Sequence, residues 1–220
     1  MEKNNLTLVS GGLKNLFLAQ ILAIVAAVVA AIGVIAATAG AIGGLIAESE
    51  TGVIAGVAAG GVIALIGGII GIVAVVLEIL GAYKASQGAE SYKNAFYLTL
   101  VSLLLTVLTT FIKNATANAL LSMVSTVVTF LVVAVVCAST SAIHEALGDS
   151  VLAAKGKTVT TLYMVVTILT LVYQLLDLID VLGTLSMILT FVAGIVGLVA
   201  MILYMIFLSK SSNALAGAQG

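Results

Sequence analysis

The chain has 220 residues, of which 62% are hydrophobic and 8% are charged, and its formal net charge is −1. Since a soluble domain of this size carries about a quarter charged residues, the composition excludes an ordinary water-soluble fold. All eight basic residues are lysines, so the sequence lacks the concentrated basic face of a nucleic-acid-binding protein. A single cysteine, Cys137, excludes a disulfide framework within the chain. We therefore expect an integral membrane protein.

Six uncharged stretches have the length of a transmembrane helix, for which roughly 20 residues span ~30 Å of hydrocarbon. Strands of a membrane barrel would alternate apolar and polar residues, whereas residues 21–29 are apolar without interruption. In lipid, a continuous apolar stretch satisfies its backbone hydrogen bonds only as a helix. The predicted fold class is an all-α, polytopic membrane helix bundle. Its spans cover approximately residues 16–40, 53–77, 95–112, 119–138, 159–176 and 184–207.

The lengths of the connections predict how the six spans pair. Three connections, 46–52, 113–118 and 177–183, are short, so the spans that they join should form three antiparallel hairpins. The other two, 81–94 and 139–157, are longer and more polar. No linker or change of composition divides the chain, and we expect one transmembrane domain that includes all 220 residues.

The distribution of lysine predicts the orientation of the bundle. With six spans, both termini and the two longer connections lie on the same side of the membrane. That side carries Lys3, Lys14, Lys84, Lys93, Lys155, Lys157 and Lys210. Lys113 is the only lysine on the other side. Because lysine is enriched in cytoplasmic segments, we expect a multi-pass protein of the cell membrane with both termini in the cytoplasm.

Glycines recur four residues apart in the first two spans, and this spacing leaves a flat face that another helix can approach closely. The predicted helix-packing interface consists of Gly40, Gly44, Gly56, Gly60, Gly67 and Gly71. Two interpretations remain open: contact between the first two spans of one molecule, or contact with a second molecule. The expected partners are the lipid bilayer and either another copy of the chain or another membrane protein, and nucleic acid is not expected.

Three acidic residues are candidates for an ion or proton site. Glu78 is the only acid within a long apolar stretch, and intramembrane carboxylates are often functional. Asp177 and Asp180 are three residues apart, which puts them on one face of a helix end. The alternatives are structural: Glu78 lies near the predicted membrane interface, where it would pair with Lys84, and the two aspartates would belong to the charged rim of a loop.

Serine and threonine recur at helical spacing on three spans. The hydroxyl residues are Ser102, Thr106, Thr109 and Thr110 on the third span, Ser122, Ser125, Thr126 and Thr129 on the fourth, and Thr160, Thr161, Thr167 and Thr170 on the fifth. The candidate polar-path residues are Ser102, Thr106, Thr109, Ser122, Thr126 and Thr129. If these hydroxyl groups face the interior, they line a polar path for a small solute or an ion. If they face neighbouring helices, they form interhelical hydrogen bonds or bond to carbonyl groups of their own helix.

The connection 139–157 contains apolar residues at every fourth position, namely Ile143, Leu147 and Val151, which predicts a short amphipathic helix on the membrane surface. His144, the only histidine, has no second ligand nearby in the sequence, so no metal site is predicted.

The sequence contains none of the common catalytic or nucleotide-binding motifs, and it has one histidine, one cysteine and no arginine. We therefore expect neither an enzyme nor a cofactor. The favoured function is that of a non-catalytic scaffold or accessory subunit of a membrane assembly, because the glycine faces suit helix packing and no charge lies at mid-membrane. The alternative is a small channel or transporter for an ion or small solute that uses the hydroxyl groups as its path.

Overall fold

The structure, a computed structural model, describes residues 2–46, 50–179 and 183–218. Within those ranges every regular element is helical and there is no strand. The helices are α1 (Lys3–Ile46), α2 (Glu50–Gly88), a 3₁₀ turn (Glu90–Tyr92), α3 (Lys93–Phe111), α4 (Ala115–Ala146), α5 (Ser150–Leu178) and α6 (Gly183–Gly217). In this part of the chain six helices are long and apolar enough to cross a membrane. The prediction of an all-helical protein with six candidate spans is confirmed.

Most of the helices are longer than the predicted spans. The first helix begins at Lys3 rather than near residue 16, and α2 continues to Gly88 through most of a segment predicted to be a connection. With 44 residues, α1 would extend for ~66 Å, about twice the thickness of a bilayer core. Hydropathy marks only the segment that suits lipid. A helix continues beyond it because no proline interrupts the chain.

The prediction of an amphipathic helix around Leu147 is wrong, because the chain turns there. Helix α4 ends at Ala146, and Gly148 adopts a φ of +82°, a conformation that glycine reaches without strain. The next helix begins at Ser150, where the Asp149 carboxylate caps it by accepting a hydrogen bond from the Leu152 amide at 3.0 Å. The apolar residues at every fourth position therefore lie around the turn between α4 and α5 and do not form one separate helix.

The chain is divided into two compact units, one of residues 15–78 and one of residues 1–14 with 79–220. In the smaller unit, small residues let the backbones of α1 and α2 come close. A methyl group added at Gly33 of α1 would lie 2.7 Å from the Ala64 amide nitrogen and 2.8 Å from the Gly60 carbonyl oxygen of α2. One added at Gly67 would lie 2.9 Å from the Ala30 amide nitrogen.

In the larger unit, the ends of the helices pack together where the chain begins. We call this the terminal end. It contains the start of α1, the end of α6 and the turns from α2 to α3 and from α4 to α5. The opposite end, with the connection from α3 to α4 and the end of α5, is the far end. The core of the terminal end includes the buried side chains of Leu6, Val9, Leu13, Tyr92, Val136, Phe207, Leu208 and Leu215.

Hydrogen bonds join helices at the terminal end. The Ser10 hydroxyl donates to the Ser212 carbonyl at 2.9 Å, and the Ser212 hydroxyl donates to the Ser10 carbonyl at 3.0 Å, which ties α1 to α6. The buried hydroxyl groups of Tyr92 and Thr140 are 2.6 Å apart. Since Thr140 donates its proton to the Val136 carbonyl, Tyr92 is the donor in this pair. The terminal end is therefore held by paired polar groups within an apolar core.

Candidate functional site: polar cavities along α3, α4 and α5

A cavity of about 320 Å³ lies between α3, α4 and α5. Nine of its eleven lining residues carry a hydroxyl group, and Phe130 and Val166 complete the wall. The hydroxyl residues are Thr106, Thr109, Ser122, Ser125, Thr126, Thr129, Tyr163, Thr167 and Thr170. This first cavity is far larger than the ~10–15 Å³ that one water molecule needs.

The hydroxyl groups meet because each helix carries them on one face. On α5 the polar residues that face the cavities are Tyr163, Thr167, Thr170, Gln174 and Asp177, which alternate between spacings of four and three. Residues three and four apart in a helix lie on the same side. The same alternation on α4 gives Ser122, Thr126 and Thr129, so two polar faces run beside one another along the α4–α5 contact.

A second cavity, of about 350 Å³, adjoins the first at the far end. Ser122 lines both, and the second cavity is also lined by Gln174 and Asp177. The Asp177 side chain is exposed. The two cavities together form a polar indentation with a carboxylate at its outer margin.

Gln174 lies between the two cavities and bridges α5 to α4. Its Nε2 atom is 3.3 Å from the Ser122 Oγ and 3.4 Å from the Thr126 Oγ1, and it donates to both. Its Oε1 atom is buried and has no hydrogen-bond partner among the described residues. A buried amide oxygen without a donor is costly unless a water molecule or a ligand supplies one.

The hydroxyl residues both bond to carbonyl groups of their own helix and line a cavity. Several threonines that line the first cavity donate their protons to carbonyl groups of the preceding helical turn, as residues in apolar helices commonly do. The bonds run from Thr106 to Ser102, from Thr109 to Thr106, from Thr126 to Ser122 and from Thr167 to Tyr163, with lengths of 2.9, 2.7, 3.0 and 2.8 Å. Bonding to the backbone therefore does not prevent these side chains from lining a cavity.

A third cavity, of about 390 Å³, lies between α4 and α5 at the terminal end. Its walls include Ser141, whose buried hydroxyl has no partner in the described structure, and Thr160. Lys157 and Glu145 also line it and form an ion pair at 2.7 Å. Thr160 is one helical turn from Tyr163, which lines the first cavity, so a single turn of α5 separates the two cavities.

All but one of the predicted polar-path residues lie together in the structure. Thr106, Thr109, Ser122, Thr126 and Thr129 all line the first cavity. Ser102 is not among its lining residues and instead accepts the hydrogen bond of Thr106 through its carbonyl. Whether this region conducts a solute stays a prediction.

The candidate acidic residues have separate environments. Asp177 lines the second cavity, whereas Glu78 is half-buried on α2. Among the ion pairs of the described residues there is none between Glu78 and Lys84, and the Lys84 amine lies against Gly11 of α1. A spacing of six residues turns two side chains about 120° apart on a helix, which does not favour pairing. Asp180 lies outside the described residues.

The predicted glycine interface is described in part. Gly60 and Gly67 face α1 within the smaller unit, and a methyl group at Gly71 would make an ordinary contact of 3.8 Å with Ala26. Gly40 and Gly44 belong to α1 and Gly56 to α2. The surroundings of Gly44 and Gly56 lie outside the described part of the chain.

Gln174 is a residue of this region that the patterns of hydroxyl and charged side chains do not predict, because its side chain is an amide. The sequence nevertheless carries a signal for it. Gln174 is the only amide side chain in the span 159–176, and it follows Thr167 and Thr170 by seven and four residues, which puts it on the same helix face.

No protein-family model, no curated protein sequence and no solved structure matches this chain. Within residues 2–46, 50–179 and 183–218, no group of three or more His, Cys, Asp or Glu side chains could hold a metal ion. The three cavities and the helix surfaces are therefore the features of the structure that bear on function.

Proposed function

We propose that this chain is a multi-pass membrane protein that carries a small polar solute across the bilayer without altering it chemically. The observation that supports the proposal is the first cavity, where hydroxyl groups from α3, α4 and α5 surround a space within otherwise apolar helices. Polar side chains in membrane helices are expected at interhelical contacts or around water-filled spaces, because lipid offers them no partners.

The proposed setting is the cell membrane, with the helices paired as three hairpins. The terminal end, which carries most of the lysines, would face the cytoplasm. In this orientation the second cavity and the Asp177 carboxylate would open to the outside. A solute would then enter from the outer side and reach Gln174 before the first cavity.

The positions of the three cavities support transport by alternating access. The first and second cavities lie toward the far end, and the third lies at the terminal end, whose buried core includes Tyr92 and Thr140. Tyr163 contacts Tyr204 of α6, with their ring centroids 5.7 Å apart, and lies one turn from the third cavity. Movement of this aromatic pair would join the first and third cavities, as the opening of a thin gate does in transporters.

Solute flux into proteoliposomes tests the proposal. The purified protein would be reconstituted and assayed with a panel of small polar solutes and inorganic ions. Thr126→Val with Thr167→Val replaces two cavity hydroxyls by methyl groups of similar size, and we expect flux to fall about tenfold or more because two polar contacts are lost.

Thr110→Val is the matched control. Thr110 is exposed on α3 and lines neither of the first two cavities, so flux should be unchanged. Absence of flux across the whole panel, or an equal loss in the control, would contradict the proposal.

The second candidate function is that of a scaffold or accessory subunit, which the outer face of α2 supports. A methyl group added at Gly61 or at Gly68 would have no neighbour within 4 Å. These glycines are seven residues apart on the same face, which they share with the exposed side chains of Leu65 and Ile72. A small-residue face of this kind suits close contact with another helix.

Native mass spectrometry tests the scaffold. Gly61→Leu with Gly68→Leu would fill the face, and we expect a complex with a second copy or another membrane protein to dissociate. Recovery of the unmodified protein as an unaccompanied monomer from its native membrane would count against this function.

A further inference from the structure

We infer that the first and second cavities bind a small monovalent cation, either an alkali-metal ion or ammonium. Passage of this ion across the bilayer rests on the proposed function, whereas its binding does not. The walls of these cavities offer more hydrogen-bond acceptors than donors. A wall with surplus acceptors attracts cations, and a wall with surplus donors attracts anions.

The threonine hydroxyls contribute acceptors. A hydroxyl group has one proton and two lone pairs. Four threonines of the first cavity have already given that proton to a backbone carbonyl of their own helix. Only lone pairs of Thr106, Thr109, Thr126 and Thr167 are therefore left for a ligand, and one of those on Thr126 already accepts from Gln174.

Gln174 adds a stronger acceptor between the two cavities. Its amide nitrogen is engaged with Ser122 and Thr126, so its donors are turned toward α4. Its amide oxygen is buried without a partner in the described structure. Carbonyl oxygens of this kind replace the hydration shell of a monovalent cation in channel filters.

The charges near the cavities agree with a cation. Among the described residues Asp177 is the only charged one that lines either cavity, and its exposed carboxylate would raise the local concentration of cations at the mouth. Lys113, in the connection from α3 to α4, is exposed and does not line either cavity. Its repulsion acts through water, where salt screens it.

Other ligand classes fit less well. Divalent cations are usually held by several carboxylates, whereas the described residues that line the first cavity include no carboxylate. Anions need donors, and five hydroxyls of the first cavity keep a proton that they could donate, those of Ser122, Ser125, Thr129, Tyr163 and Thr170. The lone pairs of the nine hydroxyl groups and the Gln174 amide oxygen outnumber these protons, which favours a cation over an anion. Neutral polyols need donors and acceptors in similar number.

Calorimetry of the detergent-solubilised protein tests binding without reference to transport. KCl, NaCl and NH₄Cl would be titrated, with N-methyl-D-glucamine chloride as the control for ionic strength and chloride. We expect heat of saturable binding for at least one small cation and none for the bulky one. Gln174→Leu should weaken binding about tenfold or more, because the amide oxygen is lost.

Two further variants make the result independent of folding defects. Gln174→Glu keeps the shape of the side chain and adds a charge, so it should tighten cation binding. Thr110→Val should leave it unchanged. Absence of any cation-dependent heat in the unmodified protein, or equal binding in Gln174→Leu, would overturn the inference.

Reconstituted vesicles separate the ligand class from the proposed function. Asp177→Asn should lower cation flux about twofold to fivefold while leaving glycerol flux unchanged. Glu90→Gln, which removes an exposed carboxylate at the opposite end of α3 from the cavity, should change neither. Passage of chloride or glycerol but not of cations would overturn the inference and leave the transport function intact. Cation binding without flux of any solute would support the inference and contradict the proposed transport function.

Discussion

A methyl group added at Gly60 should push α1 and α2 apart, whereas the same group added at the next residue, Gly61, should not. Gly60 faces α1, where the new carbon would lie 2.5 Å from the Ala37 amide nitrogen and the Gly33 carbonyl oxygen. At Gly61 it would have no neighbour within 4 Å. The two substitutions are one residue apart in the same helix, so they differ mainly in this contact.

The expected magnitude follows from these distances. An ordinary contact begins at 3.4 Å, so the backbones must separate by about 0.9 Å at Gly60, and overpacking of this kind costs ~1–3 kcal/mol. Replacing a helical glycine by alanine gains up to about 1 kcal/mol at either position. The gain cancels in the comparison, and Gly60→Ala should be ~1–3 kcal/mol less stable than Gly61→Ala.

Unfolding in mixed micelles with increasing SDS, followed by far-ultraviolet circular dichroism, measures the difference. A second pair, Gly67→Ala and Gly68→Ala, should follow the same order with a smaller gap, because a methyl group at Gly67 would lie 2.9 Å from its nearest neighbour. Equal stability of Gly60→Ala and Gly61→Ala would refute the close approach of α1 and α2 and the role of glycine in it.

Two further predictions concern the terminal end. Gly148→Ala should lower the free energy of unfolding by ~1 kcal/mol, because the φ of +82° strains any residue with a side chain; a thermal unfolding midpoint as high as that of the unmodified protein would contradict the turn. Tyr92→Phe should also cost ~1 kcal/mol, since it removes the donor to the buried Thr140 hydroxyl. Denaturant unfolding measures that loss, and a gain in stability would mean that the pair is not formed.

The sequence was sufficient to predict the helices but not their ends. Uncharged stretches identify spans because lipid leaves an apolar backbone no alternative to helical hydrogen bonding. That constraint applies only to the apolar stretches, and α1 and α2 continue past theirs, to Lys3 and to Gly88. The turn at Gly148 was missed because the apolar period is the same on both of its sides.

The candidate site was predictable in part for a related reason. Spacing within one helix tells which side chains share a face, and so Thr126 and Thr129 were expected together. It does not tell how α3, α4 and α5 are rotated about their axes, which decides whether their faces meet. The same limit applies to Gly60 and Gly61, which are adjacent in the sequence but differ in that only the first faces α1.

Chemical labelling tests most directly whether the first cavity is a water-filled site for cations. In a Cys137→Ala background, which removes the single native thiol, cysteine would be introduced by Thr126→Cys in the cavity or by Val127→Cys on the neighbouring exposed apolar surface. A cationic, membrane-impermeant methanethiosulfonate should modify the protein at position 126 but not at 127, and K⁺ should slow the reaction relative to N-methyl-D-glucamine. An unreactive position 126, or equal rates at both positions, would contradict the existence of a cation-accessible cavity.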